Sequence, residues 1–179
     1  MAAKGFSLLE DFLPDYQFRS RHQALVQAPA AEVYRCLKTV NLADSFWIRS
    51  LFRLRGIRLF EITLDSLQKI RFNWLAEKPG EELILGVVGK FWTVRGHLRK
   101  LTPEQFREFS QAEFAKAVWH IGVESLAEGQ SLLSTETRIY CPDPKTYRKF
   151  RFYWVFISPF SGWIRSITLR LIKRRAEAA

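Results

Sequence analysis

The sequence predicts an α+β domain in which an antiparallel sheet is covered on one face by a long C-terminal helix. Three observations carry that expectation. Apolar residues alternate with polar ones in several short segments, the period of half-buried strands. Those segments are joined by turn chemistry, most clearly at Lys78-Pro79-Gly80-Glu81. From Phe150 onward, Tyr153, Ile157, Phe160, Ile164, Ile167 and Leu171 follow at steps of three or four, a helical stripe.

The elements follow in order. Residues 1–17 predict a short helix or arm, with Leu8, Leu9, Phe12 and Leu13 on one face, ahead of a single domain over 18–179. From Phe18 to Ala28, Ser20, His22, Ala24, Val26 and Ala28 share one face of a strand. Arg19, Arg21, Gln23 and Gln27 share the other, with Leu25 as the exception. Pro29 suits the first helical position, and Val33, Leu37 and Val40 continue an amphipathic helix. A second short helix is expected from Ala43 to Leu54, carrying Trp47, Ile48, Leu51, Phe52 and Leu54 and ending at Gly56. Residues 57–69 show no clear period. Strands Ile70–Glu77 and Glu82–Gly89 form a hairpin, and Val94–Leu101 reads as a further strand. Thr102-Pro103-Glu104 suits the start of a helical turn, with a short strand over Phe106–Phe109 as the alternative. Lys116–Ser125 and Gln130–Cys141 are strands about a turn at Ala127-Glu128-Gly129. The final stripe runs through Pro159, which favours one kinked helix over two separated at Ser158–Gly162.

Composition excludes several classes. With 179 residues, 47% hydrophobic and 15% aromatic, the chain is no disordered segment and buries a core without staples. Two cysteines, Cys36 and Cys141, are too few for a disulfide scaffold and read as reduced thiols. No CxxC or HxxxH spacing occurs, so neither metal nor cofactor is implied. Glu10, Asp11 and Asp15 break any signal-peptide pattern, and no apolar run reaches the roughly 20 residues of a membrane span. A cytoplasmic protein is expected.

The stretch Arg21-His22-Gln23-Ala24-Leu25-Val26-Gln27-Ala28-Pro29-Ala30-Ala31-Glu32-Val33-Tyr34 resembles the strand-to-helix opening of the START/polyketide-cyclase-like (SRPBCC) superfamily. The terminal helix after Thr135-Glu136-Thr137-Arg138 is similar to that superfamily too, and the likeness in element order spans roughly residues 18–175. The resemblance implies the helix-grip fold, a curved antiparallel sheet wrapped round the C-terminal helix with two short helices after the first strand. It also implies a cavity between sheet and helix for a lipid-, sterol- or polyketide-like molecule. Some members are enzymes and many are carriers. No shared catalytic set comes with the resemblance.

Candidate residues follow from the expected faces. Phe72, Trp74, Trp119, Ile121, Tyr153 and Ile157 point toward such a cavity, or else pack as ordinary core. His22, on the apolar face of its strand, is a ligand anchor, a general acid/base or a satisfied structural histidine. His97 and His120 read as exposed. Glu136 and Arg138 share one face of the last strand. Facing inward, Glu136 forms a carboxylate–His pair with His22, the basis of a cyclase-, dehydratase- or hydrolase-type reading; facing outward, it is solvated.

Charge is lopsided. The chain carries +10, and nine basic residues stand against one acid between Asp143 and Arg175. Arg49, Arg53, Arg165, Arg170, Lys173 and Arg174 are the candidate surface for an anionic membrane, beside exposed aromatics. A solvated basic face is the alternative. No zinc-finger spacing, RNA-binding signature or GxxxxGK[ST] loop is present, which weighs against nucleic acid as the partner.

Overall fold

The computed structural model describes residues 7–45, 50, 63, 72–93 and 95–179. Alternation in the first strand is realised directly: in β1 (Phe18–Val26) Ser20, His22 and Ala24 are half-buried while Arg19, Arg21, Gln23 and Leu25 are exposed. Before it, α1 (Ser7–Phe12) buries Leu8, Leu9 and Phe12. After it, Pro29 opens α2 (Ala30–Thr39), which buries Val33, Tyr34, Cys36 and Leu37. A 3-10 turn at Leu42–Asp44 follows. The expected second helix beyond it, with Trp47, Ile48, Arg49, Leu51, Phe52, Arg53 and Leu54, lies outside the described residues, as do Ile70 and Arg71.

The hairpin is β2 (Asn73–Lys78) and β3 (Glu82–Gly89). The strand expected over 94–101 is not formed among the described residues. Gly96 and His97 take φ of +65° and +45°, a left-handed step incompatible with extended pairing, and only a bridge between Val88 and Arg99 remains. Helix α3 (Pro103–Glu108) decides the alternative left open at Thr102: its hydroxyl accepts from Gln105 N–H while the Gln105 side chain accepts from Thr102 N–H. Then come β4 (Ala115–Ala127), β5 (Gln130–Tyr140) and α4 (Pro144–Glu177), one helix of 34 residues with Pro159 inside it.

The described strands form a curved antiparallel sheet in the order β1-β5-β4-β3-β2, with α4 lying across it, the helix-grip arrangement. Register assigns the faces, because paired residues point the same way. On the front face, Leu83 pairs with Ile121 and Leu133 with Val123; these pack with Val26, Val33 and Leu37 and with Leu169 and Ile172 of α4. The back face is covered as well. Leu75, Ile84, Val88 and Val118 pack there against Leu9 and Phe12 of α1 and Phe106 of α3. Both thiols, Cys36 and Cys141, are buried and free.

Candidate functional site

The site begins at the N-terminus of α4. Asp143 caps it, accepting from the backbone N–H of Lys145 at 3.0 Å and Thr146 at 2.9 Å, and from the Thr146 hydroxyl at 2.5 Å. It also accepts from Glu113 N–H at 3.0 Å. The Thr146 bonds and the Glu113 bond hold its carboxyl down at about 2. Two turns later Phe150, 2% exposed, anchors the helix between Phe18 and Trp154, with ring centroids at 5.0 and 5.8 Å. Trp92 meets Phe150 edge-on at 6.4 Å. The loop that presents Trp92 is closed by Lys90 N–H to Gly96 C=O at 2.7 Å. Only glycine fits at its root, since a Cβ on Gly89 stands 2.7 Å from Leu98 Cδ2 and 2.8 Å from the Gly96 oxygen.

Between this loop and the first turns of α4 runs an open groove of about 680 Å³, lined by Trp92, Phe152, Tyr153, Phe156 and Ile157 with Arg148 and Lys149. Its lining is mainly apolar with two cations, and it stands open to solvent.

Further along α4 the helix crosses β1 over a polar cluster. A Cβ on Gly162 stands only 3.2 Å from His22 Nε2, so this glycine sets the closeness of helix and strand. His22 Nε2 lies 3.1 Å from Ser20 Oγ and Nδ1 lies 3.4 Å from Ser166 Oγ. Burial, and then the Arg165 charge, lower its pKa, so the ring is neutral near pH 7. Arg165 Nε donates to Thr137 Oγ1 at 2.8 Å and Nη1 to Ser161 C=O at 2.8 Å, with further bonds from Nη1 to the Ser161 hydroxyl and from Nη2 to Thr137 Oγ1. Burial brings its pKa down to about 10, and among the described residues no carboxylate forms a salt bridge with it.

The candidate residues separate into distinct places. Tyr153 and Ile157 line the groove. Ile121 is fully buried in the front core, and Phe72, Trp74 and Trp119 pack half-buried against it. Trp74 carries the Lys38 ammonium 4.5 Å above its ring, and Trp119 Nε1 donates to Thr135 Oγ1 at 2.7 Å. Leu83, Leu85, Leu133, Leu169 and Ile172 occupy that part of the interface, so the groove lies toward the N-terminal half of α4 instead.

The His22–Glu136 pair does not form, because the two side chains lie on opposite faces. His22 pairs with Thr135 on the front face, whereas Glu136 pairs with Arg21 and His120 on the back. There Glu136 is buried, neither in solvent nor near the groove. It accepts from Arg19 at 2.9 Å twice and from Arg138 Nε at 2.8 Å. Arg138 continues to Glu10 Oε1 at 2.7 Å and Leu13 C=O at 3.2 Å, joining α1 to the sheet. His120, expected to be exposed, is fully buried on the same face, with Nε2 3.0 Å from Glu82 Oε2.

The basic set is also redistributed. Arg170 and Arg174 are exposed. Arg165 turns inward to Thr137, and Lys173 is held by Leu25 C=O and Glu177, each at 2.6 Å. Arg49 and Arg53 lie outside the described residues.

No family model and no curated protein matches the chain. Solved structures are similar to it at low identity. The di-domain ARO/CYC protein BexL is 18% identical with a TM-score of 0.35; the match covers 90% of this chain, which spans only 47% of that one. A conserved protein of unknown function from Enterococcus faecalis is 11% identical over 94% of this chain and 81% of that one, with a TM-score of 0.41. The Zhui aromatase/cyclase from a Streptomyces species is 12% identical over 89% and 93%, with a TM-score of 0.32. At these scores the likenesses decide neither ligand nor reaction.

Groove residues absent from the sequence expectation are Trp92, Arg148, Lys149, Phe152 and Phe156. The four in α4 had a signal. Phe152 and Phe156 stand four apart, and Arg148 and Lys149 lie one turn before them, a second helical stripe beside the core-facing one. Trp92 had none, because a loop has no period.

Proposed function

We propose that the protein binds a small amphipathic molecule in the groove beside α4, its apolar body against the aromatic lining and an anionic end toward Arg148 and Lys149. The observation that carries this reading is the lining itself: five apolar or aromatic side chains converge with two cations round about 680 Å³. Folding alone does not call for that arrangement, since Phe152 and Phe156 remain exposed in the folded chain. A catalytic reading based on His22 and Glu136 loses its geometry, and binding is what the remaining side chains support.

Titration calorimetry with palmitate and with its uncharged alcohol tests the proposal. Saturable binding of palmitate, weaker binding of the alcohol, and at least tenfold weaker palmitate binding by Ile157→Trp are expected, since the larger ring intrudes on the apolar lining where the chain would lie. Absence of saturable binding by the wild type, or an affinity indifferent to Ile157→Trp in a folded variant, overturns it.

A further inference from the structure

We infer that the outward face of α4 docks on a lipid surface bearing anionic headgroups. Phe152, Phe156, Phe160 and Trp163 succeed one another at steps of four, four and three, so they share one face of the helix. They are 72%, 60%, 53% and 37% exposed, and Val155 beside them is 65% exposed. Together they cover about 16 Å of helix length. The core-facing side of the same helix is built from other residues, including Phe150, Thr168, Leu169 and Ile172. Phe152, Phe156 and Phe160, each more than half exposed, are not among the residues that bury this helix on the sheet.

Charge names the occupant. Lys145, Arg148 and Lys149 precede the aromatic stretch on this face, and Arg170 and Arg174 follow it. Glu177, at the last turn, is the one acid of α4. An apolar centre with cationic ends, lying along the surface rather than through it, is the pattern of a helix seated at the headgroup–acyl boundary. No helix among the described residues is long and apolar enough to cross a membrane. A second copy of the chain fits poorly. A two-fold contact through this face sets cationic ends against cationic ends, in a protein already carrying +10. The face borders the groove through Phe152 and Phe156, so docking brings the groove to the bilayer surface.

Flotation of the full chain with vesicles tests this, comparing phosphatidylcholine alone with phosphatidylcholine mixed with phosphatidylserine. Two double variants avoid the groove: Val155→Glu with Phe160→Glu, and Arg170→Glu with Arg174→Glu. Wild type is expected on the phosphatidylserine vesicles and not on the neutral ones, with each double variant at least about tenfold weaker. Both variants should keep the wild-type circular dichroism and palmitate affinity, because every changed side chain is exposed and none lines the groove. The inference is overturned if wild type ignores anionic vesicles, or if folded variants bind them as well as wild type does. It is equally overturned if the substitutions abolish a concentration-dependent dimer in sedimentation without altering vesicle binding, which makes a second copy the occupant. The groove reading stands or falls separately, on palmitate binding in the absence of vesicles.

Discussion

Glu136→Gln separates a structural carboxylate from a functional one. In the wild type Glu136 receives three hydrogen bonds at 2.8–2.9 Å from Arg19 and Arg138. Arg21 Nε adds its charge from 3.9 Å. Burial works to raise its pKa, and the hydrogen bonds from Arg19 and Arg138 outweigh that, leaving it below the ordinary carboxylate value. Glutamine keeps the shape, loses the charge and turns an amide N–H₂ toward guanidinium donors. Removing one partner from a buried ion pair costs about 3–5 kcal/mol. Arg19 has 43% of its side chain exposed and rehydrates, whereas Arg138 at 8% does not, so a loss near about 3 kcal/mol is expected. That is survivable against a typical stability of about 5–15 kcal/mol. Urea unfolding at pH 7 measures the difference. Acid titration supplies a second reading, because a folded pKa below the unfolded value adds stability that is fully present above about pH 4.3 and is lost as pH falls. The wild type therefore loses this contribution on acidification and the variant has none to lose, so their stabilities converge. Palmitate affinity should be unchanged. A cost below about 0.5 kcal/mol refutes the buried network, and loss of palmitate binding in the folded variant returns Glu136 to the ligand site.

Gly162→Val should destabilise the fold by about 1–3 kcal/mol through overpacking against the His22 ring. NMR titration should show the His22 pKa moving back toward 6.5 as the ring leaves its buried place beside Arg165; unchanged stability and titration refute the contact. Asp143→Ala should cost about 1–2 kcal/mol through loss of the cap on α4. Since the carboxyl is held at about 2, below its unfolded value, the wild-type advantage in urea melts should be full at pH 7 and fade as pH falls from about 4 toward 2.

The strands and long helix were legible because their periods are set by local burial: β1 alternates residue by residue, and α4 keeps its stripe through Pro159. What the pattern did not contain was the second covered face. Alternation reads His120 as exposed because its neighbours Trp119 and Ile121 are apolar, yet its face is covered: Val118 packs under α1 and α3, which approach from distant sequence, and His120 is fully buried. Alternation says which residues share a face, not whether anything covers it. The same gap explains Glu136. The alternation places it opposite Thr135 and Thr137, but its burial depends on Arg19 from β1 and Arg138 tied to Glu10 of α1. Arg165 shows the converse error. Counted with basic surface residues, it instead reaches Thr137, because Ser161 one turn earlier and Gly162 at the crossing leave a polar gap between helix and strand.

Three demands meet in α4, and they explain why its sequence is mixed rather than cleanly amphipathic. Toward the sheet, Phe150 near one end and Leu169 and Ile172 near the other supply the apolar contacts that dock it. Between those anchors Ile164 and Ile167 pack on the core, but beside them Arg165 bonds Thr137 and Ser166 bonds His22, with Ser161 and Gly162 at the same crossing. An apolar helix centre at that crossing would hold more tightly, because a guanidinium without a carboxylate partner costs desolvation that a methylene does not. Outward, Phe152, Phe156 and Phe160 stay exposed after folding, so they add solubility cost and no core. Fold stability thus explains neither the polar crossing nor the aromatic outer face. Both fall in the middle of the helix, where the ends already fix its position.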